Sequence, residues 1–133
     1  MGLAEDVKDY LTTGGVTDSI FIGEAPERPA ACVVVTPTGG MGATRTMSGT
    51  ASNAPREHVR IQLRVRAATY DACSTLMTQA YSLLSGMPER TINSRRYYYA
   101  SAVQTPYYLG QDDAARPVIA TNFDLWRTET TNG

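Results

Sequence analysis

Apolar residues recur along this chain with two different periods. Leu3, Val7, Tyr10 and Leu11 follow three- and four-residue steps and predict a helix over 3–12. Glu5 and Asp6 suit the positive end of its dipole, and Gly14 and Gly15 stop it. A second helix is predicted over 70–85, with Ala72, Cys73, Leu76, Met77, Ala80, Leu83 and Leu84 on its core stripe. Thr69 is its N-cap, Asp71 falls in the first turn, and Gly86 and Pro88 end it. From Glu57 to Ala67 the period changes to two. Val59, Ile61, Leu63, Val65 and Ala67 alternate with Arg60, Gln62, Arg64 and Arg66, the pattern of a strand with one buried face.

Shorter β-branched runs fill out the sheet. Residues 19–23 and 30–36 read as strands, and the succession Val33-Val34-Val35 suggests cover on both faces. Residues 90–92 and 95–105 read as a hairpin about Asn93-Ser94. The last strand spans 118–127, with Ile119, Thr121, Phe123 and Leu125 on one face. Two stretches lack a period. Residues 37–55 carry Gly39, Gly40, Gly42, Gly49 and Arg45, with Arg56 just after them, and are expected as a mobile arm or hairpin that orders against a partner. Residues 106–117 are expected as a connection, and 128–133 as a frayed tail. The order predicts an α+β fold in one domain over 1–133. Its sheet is largely antiparallel or mixed, packed by two helices, with a long arm.

A length of 133 residues with 42% hydrophobic content suits a single core. The longest apolar run, residues 30–35, is far short of the roughly 20 residues a membrane helix needs. The acidic, amphipathic N-terminus does not read as an export signal, and Asp6 breaks the myristoylation pattern. Cys32 and Cys73 are expected as buried thiols. With the lone His58 they do not form a zinc pattern.

Enzymatic motifs fail one by one. The glycine-rich run 38–45 lacks the Gly-Lys-Ser/Thr of a phosphate loop. Ser48-Gly49 and Ser85-Gly86 lack the upstream glycine of a nucleophile elbow. The carboxylate pairs Glu5-Asp6 and Asp112-Asp113 fit a helix start and a solvated turn. The chain reads as a non-enzyme without cofactor, metal or catalytic residue.

The net charge of −1 conceals a strong division. Residues 1–27 hold six acids and one base, and residues 28–66 hold six arginines and one acid. Two arrangements fit: facing regions on neighbouring copies, or balance within one subunit. Arg60, Arg64 and Arg66 lie on one side of their strand, about 7 Å per step. That side is either a solvated face or a surface meeting an acidic partner or passing nucleic acid. Tyr97, Tyr98 and Tyr99 point to alternate faces, so they suit core packing and interface contacts better than one stacking platform.

The whole chain resembles the tail terminator, or minor capsid, proteins of long-tailed phages. The residues that carry the resemblance are the strand Val59 to Arg66, the helix from Tyr70 to Leu84, and Thr91-Ile92-Asn93. It continues through Gln104-Thr105-Pro106-Tyr107-Tyr108-Leu109-Gly110-Gln111-Asp112, then Arg116-Pro117 and Asn122-Phe123-Asp124-Leu125-Trp126. The resemblance implies a virion protein made in the host cytoplasm. Its implied form is a hexameric ring that caps the tail tube, ends tube growth and meets the head-side connector. DNA would pass through the lumen without sequence reading, and no membrane is implied. Alternatives are a head-completion or stopper protein, a tube subunit, a small enzyme, or a single-strand-binding module. The candidate interface residues are Arg45, Arg56, Arg60, Arg64, Arg66, Tyr107, Asp112 and Asp113.

Overall fold

Helix α1 (Leu3–Thr13) is followed by β1 (Ser19–Ile22), β2 (Cys32–Thr44) and β3 (Arg56–Arg66). Helix α2 (Tyr70–Ser85) then precedes β4 (Arg90–Ile92), β5 (Arg95–Ala102), β6 (Tyr107–Gln111) and β7 (Pro117–Thr128). A computed structural model describes residues 2–44 and 56–128, with side chains for all of these except 40–44 and 56. Most of the expected arm, with Arg45, and the expected frayed tail beyond Thr128 lie outside the described residues.

The strands form one mixed sheet in the order β1-β2-β3-β7-β5-β4, and β6 also pairs with β7. Among the described residues only the β1–β2 pair is parallel. The alternation in β3 places Ile61, Leu63 and Val65 on the side of Val33, Val35, Ile119, Phe123 and Leu125. Both helices cover this side. α1 lies against β1, β2 and β4, while α2 lies against β3, β5 and β7. Their C-terminal ends are tied by Tyr10, whose Oη donates to the carbonyl of Leu83 at 2.9 Å. Tyr97 and Phe123 are the largest fully buried side chains. Burying each apolar ring contributes about 2 kcal/mol.

Local signals explain the boundaries. The Thr69 side chain accepts from the Ala72 amide at 3.2 Å, capping α2 as its position predicts. The β4–β5 hairpin turns on Asn93 and Ser94, both at positive φ, as a two-residue hairpin turn demands.

Three boundaries differ from the sequence pattern. β2 continues past Thr36 to Thr44, through Pro37 and the glycines, with shifts of register between Pro37 and Gly39 and between Met41 and Thr44. Pairing with β3, interrupted at the two shifts, carries it across residues that would not sustain a strand alone. β5 ends at Ala102, not at 105. The expected connection 106–117 contains a strand, β6, against the start of β7.

β7 therefore has two partners on one edge. β5 occupies its second half, opposite Phe123 to Arg127, and β6 its first half, opposite Pro117 to Ala120. Between them the Val103 amide donates to Asn122 O, and Thr121 Oγ1 donates to Gln104 O. At the β6 end, the sheet is a row running β1-β2-β3-β7-β6.

Candidate interaction surface

The sheet side opposite the helices carries the polar positions of β3. Register sets His58 beside Trp126 and Trp126 beside Tyr99, across three adjacent strands. Their rings stack in sequence, with centroids 4.5 Å apart at each step. One register position inward, Arg60 grips Asp124 through Nε and Nη2 at 2.6 and 3.2 Å. His58 Nε2 lies 3.1 Å from the same carboxylate. Hydrogen bonding from Arg60 holds Asp124 below the usual carboxylate range and raises the Arg60 guanidinium in turn.

Further along this side the arginines grip backbone. Arg64 Nη2 donates to Gly23 O at 3.0 Å. Arg66 is buried, donating to the carbonyls of Pro26, Pro29 and Ala30. Arg116 Nη1 donates to Glu27 O. Guanidinium forks thus hold the β1–β2 connection against the sheet. Asp112 organises the neighbouring β6–β7 turn. Its Oδ1 accepts from the amides of Ala114 and Arg116, and its Oδ2 from Arg116 Nε at 2.8 Å. These bonds hold its carboxyl below the usual carboxylate range, the Arg116 side chain contributing most. A cavity of about 280 Å³ lies here, lined by Glu24, Ala25, Val34, Arg64, Arg66 and Val118 among others.

Exposed apolar surface gathers at β6. Tyr107, Tyr108 and Leu109 are 36%, 52% and 51% exposed, and Tyr70 and Val103 are exposed as well. Tyr70 meets Tyr108 edge to face. The bulge at Leu109-Gly110 uses Gly110 at φ +126, open space to a glycine and strained for any side chain.

The candidate residues divide accordingly. Arg66 and Asp112 come within 3.8 Å of one another. Arg60 belongs instead to the aromatic side, 43% exposed and paired with Asp124. Tyr107 is exposed on β6, and Asp113 lines a hollow beside Arg116. Arg56 opens β3, opposite Thr44 and Thr128. Among the described residues, no ion pair joins an acid of 2–27 to an arginine of 28–66.

Sequence reasoning missed a buried network on the helix side. Asp6, 1% exposed, accepts from Tyr97 Oη and from Asn93 Nδ2. Arg127 donates to Tyr97 Oη and to Glu57. Asp6 followed Glu5 at a helix start, and nothing in that pair signalled burial. The three-ring stack was equally hidden, because Tyr99, Trp126 and His58 come from separate strands.

Among the described residues no group of three His, Cys, Asp or Glu side chains is placed to hold a metal ion. No described helix is long and apolar enough to cross a membrane. Both cysteines are free and buried, and burial raises both thiols.

A family model described as bacteriophage tail terminator protein matches residues 8–128. A chain of a solved native gene transfer agent virion particle shares the fold with a TM-score of 0.59 at 13% identity, covering 96% of this chain and 95% of that one. A second solved chain aligns with a TM-score of 0.51 at 10% identity, over 99% of this chain and 100% of its own. No curated protein matches the chain in sequence.

Proposed function

The chain belongs to the bacteriophage tail terminator family, and from that premise we propose that it assembles into a ring, hexameric in this reading, on the end of the tail tube. The ring ends tube polymerisation and offers its far side to the head-side connector. DNA passes through the lumen without sequence recognition, and synthesis takes place in the host cytoplasm. The protein is a structural component of the virion.

The observation that carries this reading is the distribution of exposed apolar side chains. Tyr107, Tyr108 and Leu109 lie together on a strand, where they serve association. A ring requires one patch to meet a different patch on the next copy, and a strand with an open edge is suited to that contact. Arg64, Arg66 and Asp112 are engaged in holding the fold.

The test combines mass measurement in solution, negative-stain microscopy, and addition of the purified chain to growing tail tubes. Rings with a central hole that arrest tube length support the proposal. Long cylinders formed by the chain alone would make it a tube subunit. Assembly on the connector with no effect on tube length would make it a stopper.

A further inference from the structure

We infer that neighbouring copies join edge to edge, with β6 of one subunit lying antiparallel to β1 of the next. This rests on the ring reading and specifies its contact.

The argument begins with topology. At one end of the sheet the row is β1-β2-β3-β7-β6, and its members pair at a common level. Ile20 pairs with Val33, Val33 with Val65, Val65 with Ile119, and Ile119 with Tyr108. Among the described residues, β1 and β6 therefore stand at opposite ends of one continuous ladder, each with one edge that pairs with no strand. Such edges present rows of N–H and C=O groups ready to pair.

Strand direction supplies the polarity. β1 runs with β2, β3 against β2, β7 against β3, and β6 against β7. β6 and β1 therefore run oppositely, and placing one beside the other extends the ladder antiparallel. The contact is head to tail, the type that closes rings.

Side chains complete the match. Tyr108, in register with the buried Ile119, lies on the helix side of β6. Ile22, two positions from the buried Ile20, lies on the helix side of β1 and is 41% exposed. Carrying the common level across the contact sets Tyr108 opposite Ile20 of the next copy, with the exposed Ile22 its diagonal neighbour on the same face. Beside β1 a groove of about 590 Å³ runs against α1, lined by Lys8, Thr12, Val16, Asp18 and Ile20 among others. It offers the Tyr108 ring an apolar floor and its hydroxyl a polar rim. The occupant that fits this edge is a second copy of the chain, because its partner must bring an exposed strand of opposite direction with an aromatic on the helix side.

The test uses the full chain with Ile22→Cys, Tyr108→Cys and the double variant. The native Cys32 and Cys73 are buried and do not compete. Assembled samples are treated with a flexible bismaleimide long enough to span that two-residue diagonal. The double variant is expected to give a ladder of covalent multimers, and each single variant only monomer. Mixing the two single variants is expected to give covalent dimers. Tyr108→Lys is expected to abolish rings while the melting temperature stays within a few degrees. Rings without covalent multimers in the double variant would overturn the edge contact while leaving the ring reading intact. Covalent dimers from Tyr108→Cys alone would also overturn it, by making the contact symmetric. Failure of the unmodified chain to form any ring, alone or on tubes, would instead sink the ring reading itself.

Discussion

Tyr97 donates its phenolic hydrogen to Asp6 at 2.5 Å, joining the first helix to a central strand across 91 positions of sequence. Both groups are buried, and desolvation together with the Asp6 bond pushes the Tyr97 hydroxyl to a far weaker acidity. It remains a donor across the working pH range. Tyr97→Phe keeps the ring and removes the bond, leaving Asp6 with Asn93 and Arg127 with Glu57. The expected cost is about 2 kcal/mol, read as a lower urea midpoint with an unchanged slope.

Acid should weaken the fold through Asp124 and Asp112. Both carboxyls titrate below their ordinary value of 3.8 in the folded chain, mainly through Arg60 and Arg116 respectively. A depressed folded value contributes stability above the unfolded value and loses it as pH falls through the folded one. The urea midpoint should therefore hold steady down to about pH 5 and drop below about pH 4. Asp124→Asn should flatten part of that drop. The effect is small, because Arg60 is 43% exposed and solvent screens the pair. An identical pH profile in the variant would remove Asp124 from the account.

Arg66→Lys should loosen the β1–β2 connection. The guanidinium serves the carbonyls of Pro26, Pro29 and Ala30 at once, and a lysine ammonium does not reproduce that fork. Losing these bonds at a buried site costs about 1–3 kcal/mol. Limited proteolysis should then cut between residues 23 and 31 faster than in the unmodified chain. Equal cutting rates would contradict the assigned role.

Gly110→Val should damage β6 locally. The position has φ +126, where a β-branched residue costs on the order of 1–3 kcal/mol in strain, although the space around it is open. The expected result is faster amide exchange over 107–111 with little change in α1 or α2. Association should fall in parallel if β6 forms the contact. Unchanged exchange at β6 would show that the bulge tolerates a side chain.

Much of this architecture was legible because it repeats. The two-residue period of Val59 to Val65 located the middle of the sheet, and the Thr69 cap located the start of α2. What stayed hidden lacks a period. β6 holds exposed residues around a bulge, so Tyr107 to Gln111 present no alternation. β2 crosses Pro37 and Gly39 on the strength of its neighbour. The arginines were correctly placed on one side of a strand. Their binding of carbonyls at Gly23, Pro26, Pro29 and Ala30 depends on how a loop folds back, and local spacing does not encode that.

The stack of Tyr99, Trp126 and His58 has a practical consequence. Trp126 is the chain's single tryptophan, and it lies on the helix-free side in contact with both neighbours. The protein therefore carries one indole fluorophore, stationed on the helix-free face of the sheet. Its emission wavelength and anisotropy give a label-free readout of events at that face, distinct from those at the β1 and β6 edges.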